Sequence, residues 1–217
     1  MLSLDEWNVW YKAHTPETLR KPGWPKAPRL LEEIYNFEDA LIIGGALITL
    51  LNNADRVKVA CLAQLVNVIG AIFTDTGGPA WRQTIFHPFA LASKHARGEV
   101  LRTRIETDTF ATKRYPTAPL LVASVVHDPE AGSVSLFAMN RSTEEEMALS
   151  ADLRGFGALA LGDSFELHHD DLKAINDKAE ERVKPVSHPA AAIEGQTLTA
   201  RLKPLSWNIF TAKPPPR

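Results

Sequence analysis

The residues best suited to chemistry crowd into one short stretch, MLSLDEWNVWYK, where Asp5, Glu6, Trp7, Trp10 and Tyr11 fall within seven positions. Two acids beside three aromatics suit a sugar-handling site. Indole and phenol rings pack on the apolar faces of sugar rings, while carboxylates supply the nucleophile and proton chemistry. On residue types alone, Glu6 equally fits a solvated or helix-capping acid. If LSLDEW is extended, Asp5 and Glu6 point to opposite faces, so the two cannot act as one carboxylate pair.

Other reactive residues read more plainly. The run HHDD at His168–Asp171 has no pair of histidines one helical turn apart, and neighbours on a strand alternate faces, so a solvated turn is expected rather than a metal site. His87, before Pro88, reads as structural, and Glu144–Glu146 as a solvated turn or edge. Gly77-Gly78 marks a tight turn, and no glycine-rich phosphate loop is present. Cys61 is the single cysteine; in the apolar run VKVACLAQLV it reads as a buried structural thiol. With no intrachain disulfide possible, a reducing compartment is compatible.

The elements that position these groups change texture along the chain. LSLDEW is a short strand, and TPETLRKPGWPKAPR, with four prolines, is a loop. From Arg29 to about Asn52, apolar residues recur at helical spacing, with Glu32, Glu33, Glu38 and Asp39 in the early turns. Gly44-Gly45 within it would allow close packing against a neighbour. RVKVACLAQL reads as a strand buried on both faces, as in a parallel sheet, and WRQTIFHPFALASKHARG as a further helix. Past Gly98 the pattern turns to β: VLRTRIETDTF, APLLVASVVHD, SVSLFAMNRS, EEMALSADL, GALALGDSFELHH and QTLTARLKPLSWNIFTA are separated by turn residues, which predicts a sandwich or jelly roll.

With 217 residues, 45% hydrophobic and 23% charged, the chain can bury a sizeable core. A net charge of -2 with no basic stripe argues against a nucleic-acid binder. ALIIGGALITLL is too short to span a membrane, no signal peptide is read, and the cytoplasm is the expected location. Two strands and two helices do not make a stable parallel layer, so further strands are expected upstream or on a partner.

The stretches DEWNVWY, LLEEIYNFEDALIIGGALITLLNNADRVKVACLAQLVNVI and GGPAWRQTIFHPF resemble the C-terminal part of α-L-arabinofuranosidases of glycoside hydrolase family 51. The resemblance runs from Asp5 to the final SWNIF. It implies an α/β plus all-β fold. Residues 1–98 would be the C-terminal remnant of a (β/α)8 TIM barrel (its last two strand–helix units), 99–213 an antiparallel jelly-roll β-sandwich, and 214–217 a disordered tail. LSLDEW would be the seventh barrel strand and RVKVACL the eighth.

The family removes terminal α-L-arabinofuranosyl groups from arabinoxylan, arabinan and their oligosaccharides with retention. The resemblance makes Glu6 the nucleophile, Gln64 a residue that holds sugar hydroxyls, and Trp10 an aromatic wall of the subsite. It assigns no role to Cys61 or Asn67. It implies no metal and no organic cofactor, since two carboxylates suffice. The family's acid/base lies on the fourth strand and has no counterpart in this chain. Expected partners are an arabinofuranosyl oligo- or polysaccharide and either further copies in a homo-oligomer or a chain supplying the missing strands, with no nucleic acid or membrane. The alternative is a non-catalytic or truncated fragment whose sandwich binds carbohydrate or protein. Asp75 stands where the family commonly has glutamate, a difference of loop detail.

Overall fold

The computed structural model of the chain describes residues 1–10 and 32–215. Strand β1 (Leu2–Trp7) pairs in parallel with β2 (Val57–Leu62). Between them in sequence lies helix α1 (Phe37–Asn52). A short antiparallel hairpin, β3 (Ile72–Thr74) with β4 (Ala80–Arg82), then leads to helix α2 (Phe86–His95).

The rest is antiparallel β. Strands β5 (Glu99–Leu101), β6 (Thr109–Phe110), β7 (Ala118–Pro119), β8 (Leu121–Asp128), β9 (Ser133–Asn140) and β10 (Met147–Asp152) come first. They are followed by β11 (Ala160–Leu167), β12 (Val186–Ser187), β13 (Ala192–Glu194), β14 (Thr197–Leu202) and β15 (Ser206–Lys213). A six-stranded sheet in the order β12-β11-β15-β9-β8-β5 faces a three-stranded sheet β10-β14-β13, and β6–β7 is a separate hairpin. This is the expected sandwich.

Alternation along β15 explains why the larger sheet is buried on both faces. Phe210 and Ala212 join Leu136, Ala138, Leu149, Leu198 and Leu202 in the core between the sheets. Trp207 and Ile209 point the other way, into a second core with Phe137 and the α1 residues Phe37, Ala40, Leu41 and Ile48. Helix α1 begins where Asn36 and Asp39 form a reciprocal cap: Asp39 N–H donates to Asn36 Oδ1 at 3.2 Å, and Asn36 N–H to Asp39 Oδ2 at 2.8 Å. Gly44 lets it approach the sheet, since a Cβ there would lie 2.4 Å from Trp207 Cδ1. The expected close packing at Gly44 is therefore present.

Several expectations need correction. The helix expected from Arg29 starts at Phe37 because the Asn36 cap sets its first turn; Glu33 lies outside it, and residues 29–31 lie outside the described residues. Trp81 and Arg82 belong to β4, and the next helix begins only at Phe86. Strand β2 is not buried on both faces: none of its six residues is buried, Val59 is 44% exposed and Cys61 is exposed. Among the described residues β1 is its single strand partner, so the apolar run that suits a covered sheet has neighbours on one edge only. The proline-rich stretch and Trp24 lie outside the described residues, as does Tyr11.

Candidate active site

The C-terminal ends of the parallel strands β1 and β2 lie side by side, with Trp7 opposite Leu62. Glu6 stands one residue before the end of β1, and Gln64 two residues after the end of β2. Between the pairs Leu4–Ala60 and Trp7–Leu62 the register shifts: β1 advances three residues while β2 advances two. The extra residue falls at Asp5–Glu6. An irregularity of this kind re-aims a side chain and is over-represented beside active sites. Ser3 Oγ donates to Asp5 Oδ1, which puts Asp5 with Ser3 rather than with Glu6. Glu6 is exposed.

One residue beyond β1, Asn8 clamps the two strand ends. Its side-chain amide donates to Ala63 O and, at 2.7 Å, to Ile69 O, while Ala63 N–H donates to Trp7 O at 2.9 Å. Tyr35 Oη adds a bond to Val9 O at 3.0 Å. Below this rim a small core of Tyr35, Ile43, Ala71 and Ile85 receives Trp7, Val9 and Leu62. Trp7 thus packs, whereas Trp10 is 66% exposed.

The segment after β2 is wound tightly around Gln64. The Ala63–Gln64 peptide bond is cis, and Asn67 and Val68 both have a φ of 57°. Asparagine tolerates that left-handed conformation; β-branched valine does so at a cost of about 1–3 kcal/mol, a strain that tends to collect at functional sites. Gln64 is exposed, and its amide nitrogen donates within its own loop to Val66 O at 3.2 Å and Asn67 O at 3.4 Å. Asn67 in turn joins the loop to β3, accepting from Thr74 N–H at 2.8 Å and donating to Thr74 Oγ1 at 3.0 Å. Glu6, Gln64 and Trp10 therefore all sit at or beyond the same strand ends.

Sequence reasoning missed the framework. Asn8 and Asn67 hold this rim, and their only advance signal was proximity to the motif residues. It also missed the sandwich loop 177–181, which reaches back to the β3–β4 hairpin. Arg82 pairs with Glu181 at 2.7 Å and Lys178 with Asp75 at 3.0 Å. Behind them the buried His87 lies 3.2 Å from Glu181 Oε1. Burial pushes its imidazole down to about 4, against the opposing pull of Glu181. Burial therefore favours the neutral imidazole of His87, and Gly77, with a φ of 68°, makes the expected tight turn.

At the other motif, His168 and His169 lie within ring-contact distance of Phe37, and Asp170 is fully solvated. Among the described residues no group of three or more histidines, cysteines or acids is placed to hold a metal ion. Nor is any helix among them long and apolar enough to cross a membrane.

Comparison with known proteins places the chain in a family. The family model for the α-L-arabinofuranosidase C-terminal domain matches residues 5–206. An intracellular exo-α-(1→5)-L-arabinofuranosidase of Halalkalibacterium halodurans is 47% identical over 96% of this chain and 41% of its own length. One from Streptomyces lividans is 48% identical over 99% of this chain and 33% of its own. A solved family 51 α-L-arabinofuranosidase from Bifidobacterium longum superposes with a TM-score of 0.87 at 42% identity, covering 96% of this chain and 41% of that one. The chain thus spans about two fifths or less of these relatives. It belongs to the α-L-arabinofuranosidases of glycoside hydrolase family 51, corresponding to their C-terminal portion.

Proposed function

We propose that the chain carries the nucleophile side of a retaining, exo-acting α-L-arabinofuranosidase site. Residues 1–98 supply the last two strand–helix units of a (β/α)8 barrel, and 99–213 form a jelly-roll sandwich. The observation that carries this reading is the parallel β1–β2 pair. It sets Glu6 and Gln64 at one shared C-terminal end, the end at which barrel enzymes keep their chemistry.

Glu6 attacks the anomeric carbon of a terminal arabinofuranosyl group as an acid protonates the departing glycosidic oxygen. Water then hydrolyses the glycosyl-enzyme, with the former acid acting as base. That second carboxylate must stand about 5 Å from Glu6. Asp5 does not fill the role, because it is bonded to Ser3. On this reading the acid/base comes from barrel strands outside this chain. Gln64, its amide nitrogen fixed by its own loop, presents its oxygen to sugar hydroxyls, and Trp10 lends an aromatic wall.

Arabinan, arabinoxylan and their oligosaccharides are the substrates, in keeping with the relatives' names, and those names also support a cytoplasmic location. Exposed Leu2, Leu4 and Val59 on the β1–β2 ribbon support a partner chain or further copies of this one covering it. A second reading, a non-catalytic binding module, is favoured by the core between the two sheets, which among the described residues draws on none before Leu121.

Hydrolysis of 4-nitrophenyl α-L-arabinofuranoside separates the two readings. The chain mixed with an upstream barrel fragment is expected to be active, and Glu6→Gln inactive. Silence of the mixture, with both parts folded, would leave the module reading.

A further inference from the structure

Beside the Gln64 loop the structure holds a concavity, of about 460 Å³, that the chemistry above does not use. One wall is the β3–β4 hairpin with Trp81 and Arg82, floored by Ile72 and Phe86; the other is the sandwich loop with Lys178 and Glu181. Its volume falls in the range of small-ligand sites. The groove adjoins the rim, since Ile72 bridges directly to Val66 and Asn67 ties the Gln64 loop to Thr74.

The lining has a definite chemistry. Trp81 is half-buried and braced edge-on by Phe73, with ring centroids 5.8 Å apart, so its indole is held in place. Arg82 lies over the Phe86 ring at 5.7 Å and is paired with Glu181, while Lys178 is paired with Asp75. Glu180 at the mouth is paired with Arg182, and Asp177 accepts from the backbone N–H groups of Ala179 and Glu180. The groove offers an aromatic wall beside fixed donors and acceptors, which suits a polyhydroxylated ring better than an anion or an apolar chain.

We propose that this groove is a second carbohydrate subsite, built jointly by the Ala80–Arg82 strand and the 177–181 sandwich loop. It takes a neutral sugar ring of the polymer beyond the residue cleaved. The proposal rests on the reading of Glu6 and Gln64 given above, and it gives the sandwich a direct part in substrate recognition.

The test is titration of the full 217-residue chain with α-(1→5)-linked arabinotriose, followed by NMR at the Trp81 indole N–H, the resonance that disappears in Trp81→Phe. A saturable shift is expected. In Trp81→Ala the Kd read from the other shifting resonances should rise about tenfold, as for loss of a stacked ring, whereas Trp81→Phe should stay within about threefold. Lys178→Ala, which leaves the ring wall intact, should weaken binding by about threefold. No saturable shift in the parent, or parental affinity in a folded Trp81→Ala chain, would overturn the proposal. Groove binding with a silent hydrolysis assay would instead overturn the nucleophile reading and leave the groove standing.

Discussion

Two adjacent glycines in α1 make opposite predictions. At Gly44 an added methyl would lie 2.4, 2.7 and 2.9 Å from Cδ1, Nε1 and Cγ of Trp207, a fully buried side chain with no room to withdraw. At Gly45 the nearest atom is Met139 Sδ at 3.4 Å, the end of a flexible side chain. Alanine in place of glycine within a helix gains about 1 kcal/mol of propensity at either position. Overpacking a tight interior costs about 1–3 kcal/mol, and three contacts below 3 Å put Gly44 at the upper end of that range. Gly44→Ala should therefore lose about 2 kcal/mol net, while Gly45→Ala should gain up to about 1 kcal/mol. Urea unfolding followed by circular dichroism should separate the variants by about 2–3 kcal/mol at unchanged slope. Equal stability of the two would refute the claim that α1 is seated on the sheet through Gly44 and Trp207.

His87 makes stability depend on pH in a window of its own. Its folded pKa of about 4 lies below the ordinary 6.5, so the unfolded chain binds the proton more readily. The contribution is complete above pH 6.5 and is lost as pH falls toward 4; His87→Gln should flatten the fall in urea midpoint across that interval. Burial also lowers His95 and His188, so part of the slope should survive in the variant. Asn8→Ala removes the bonds to Ala63 O and Ile69 O and should cost about 1–3 kcal/mol. It should also speed amide exchange at Ala71 and Ile72, which donate to Gln64 O and Leu65 O. Lys203→Met leaves the buried Glu166 without its ammonium partner at 2.7 Å and should cost about 1.5–3 kcal/mol, less in combination with Glu166→Gln, as measured by thermal unfolding.

What could be read from the sequence follows from the range of the forces involved. SVSLFAMN and SWNIFTAK carry enough β-branched and aromatic residues between turn signals to declare themselves as β9 and β15, and local pattern sufficed. The apolar character of RVKVACL misled about burial, because burial depends on neighbours that a single run does not encode. The start of α1 was misplaced because Glu32 and Glu33 look like first-turn acids, whereas the Asn36–Asp39 cap sits a turn later.

At the site, Glu6, Gln64 and Trp10 were legible only through a motif resemblance; their gathering at one pair of strand ends depends on the pairing of β1 with β2 across some fifty residues. Nothing local announces that Glu181 meets Arg82 or that Lys178 meets Asp75, pairs separated by 99 and 103 positions. Contacts of that kind are products of the fold and become visible only in it.

On the proposed mechanism Glu6 becomes covalently bonded to sugar during turnover. The direct measurement is peptide mapping by mass spectrometry after the chain, assembled with an upstream barrel fragment, is treated with a mechanism-based arabinofuranosyl inactivator. One adduct is expected, on the peptide containing Glu6, and none when Glu6→Gln is used. An adduct on another carboxylate, or an active assembly that labels equally without Glu6, would contradict that mechanism.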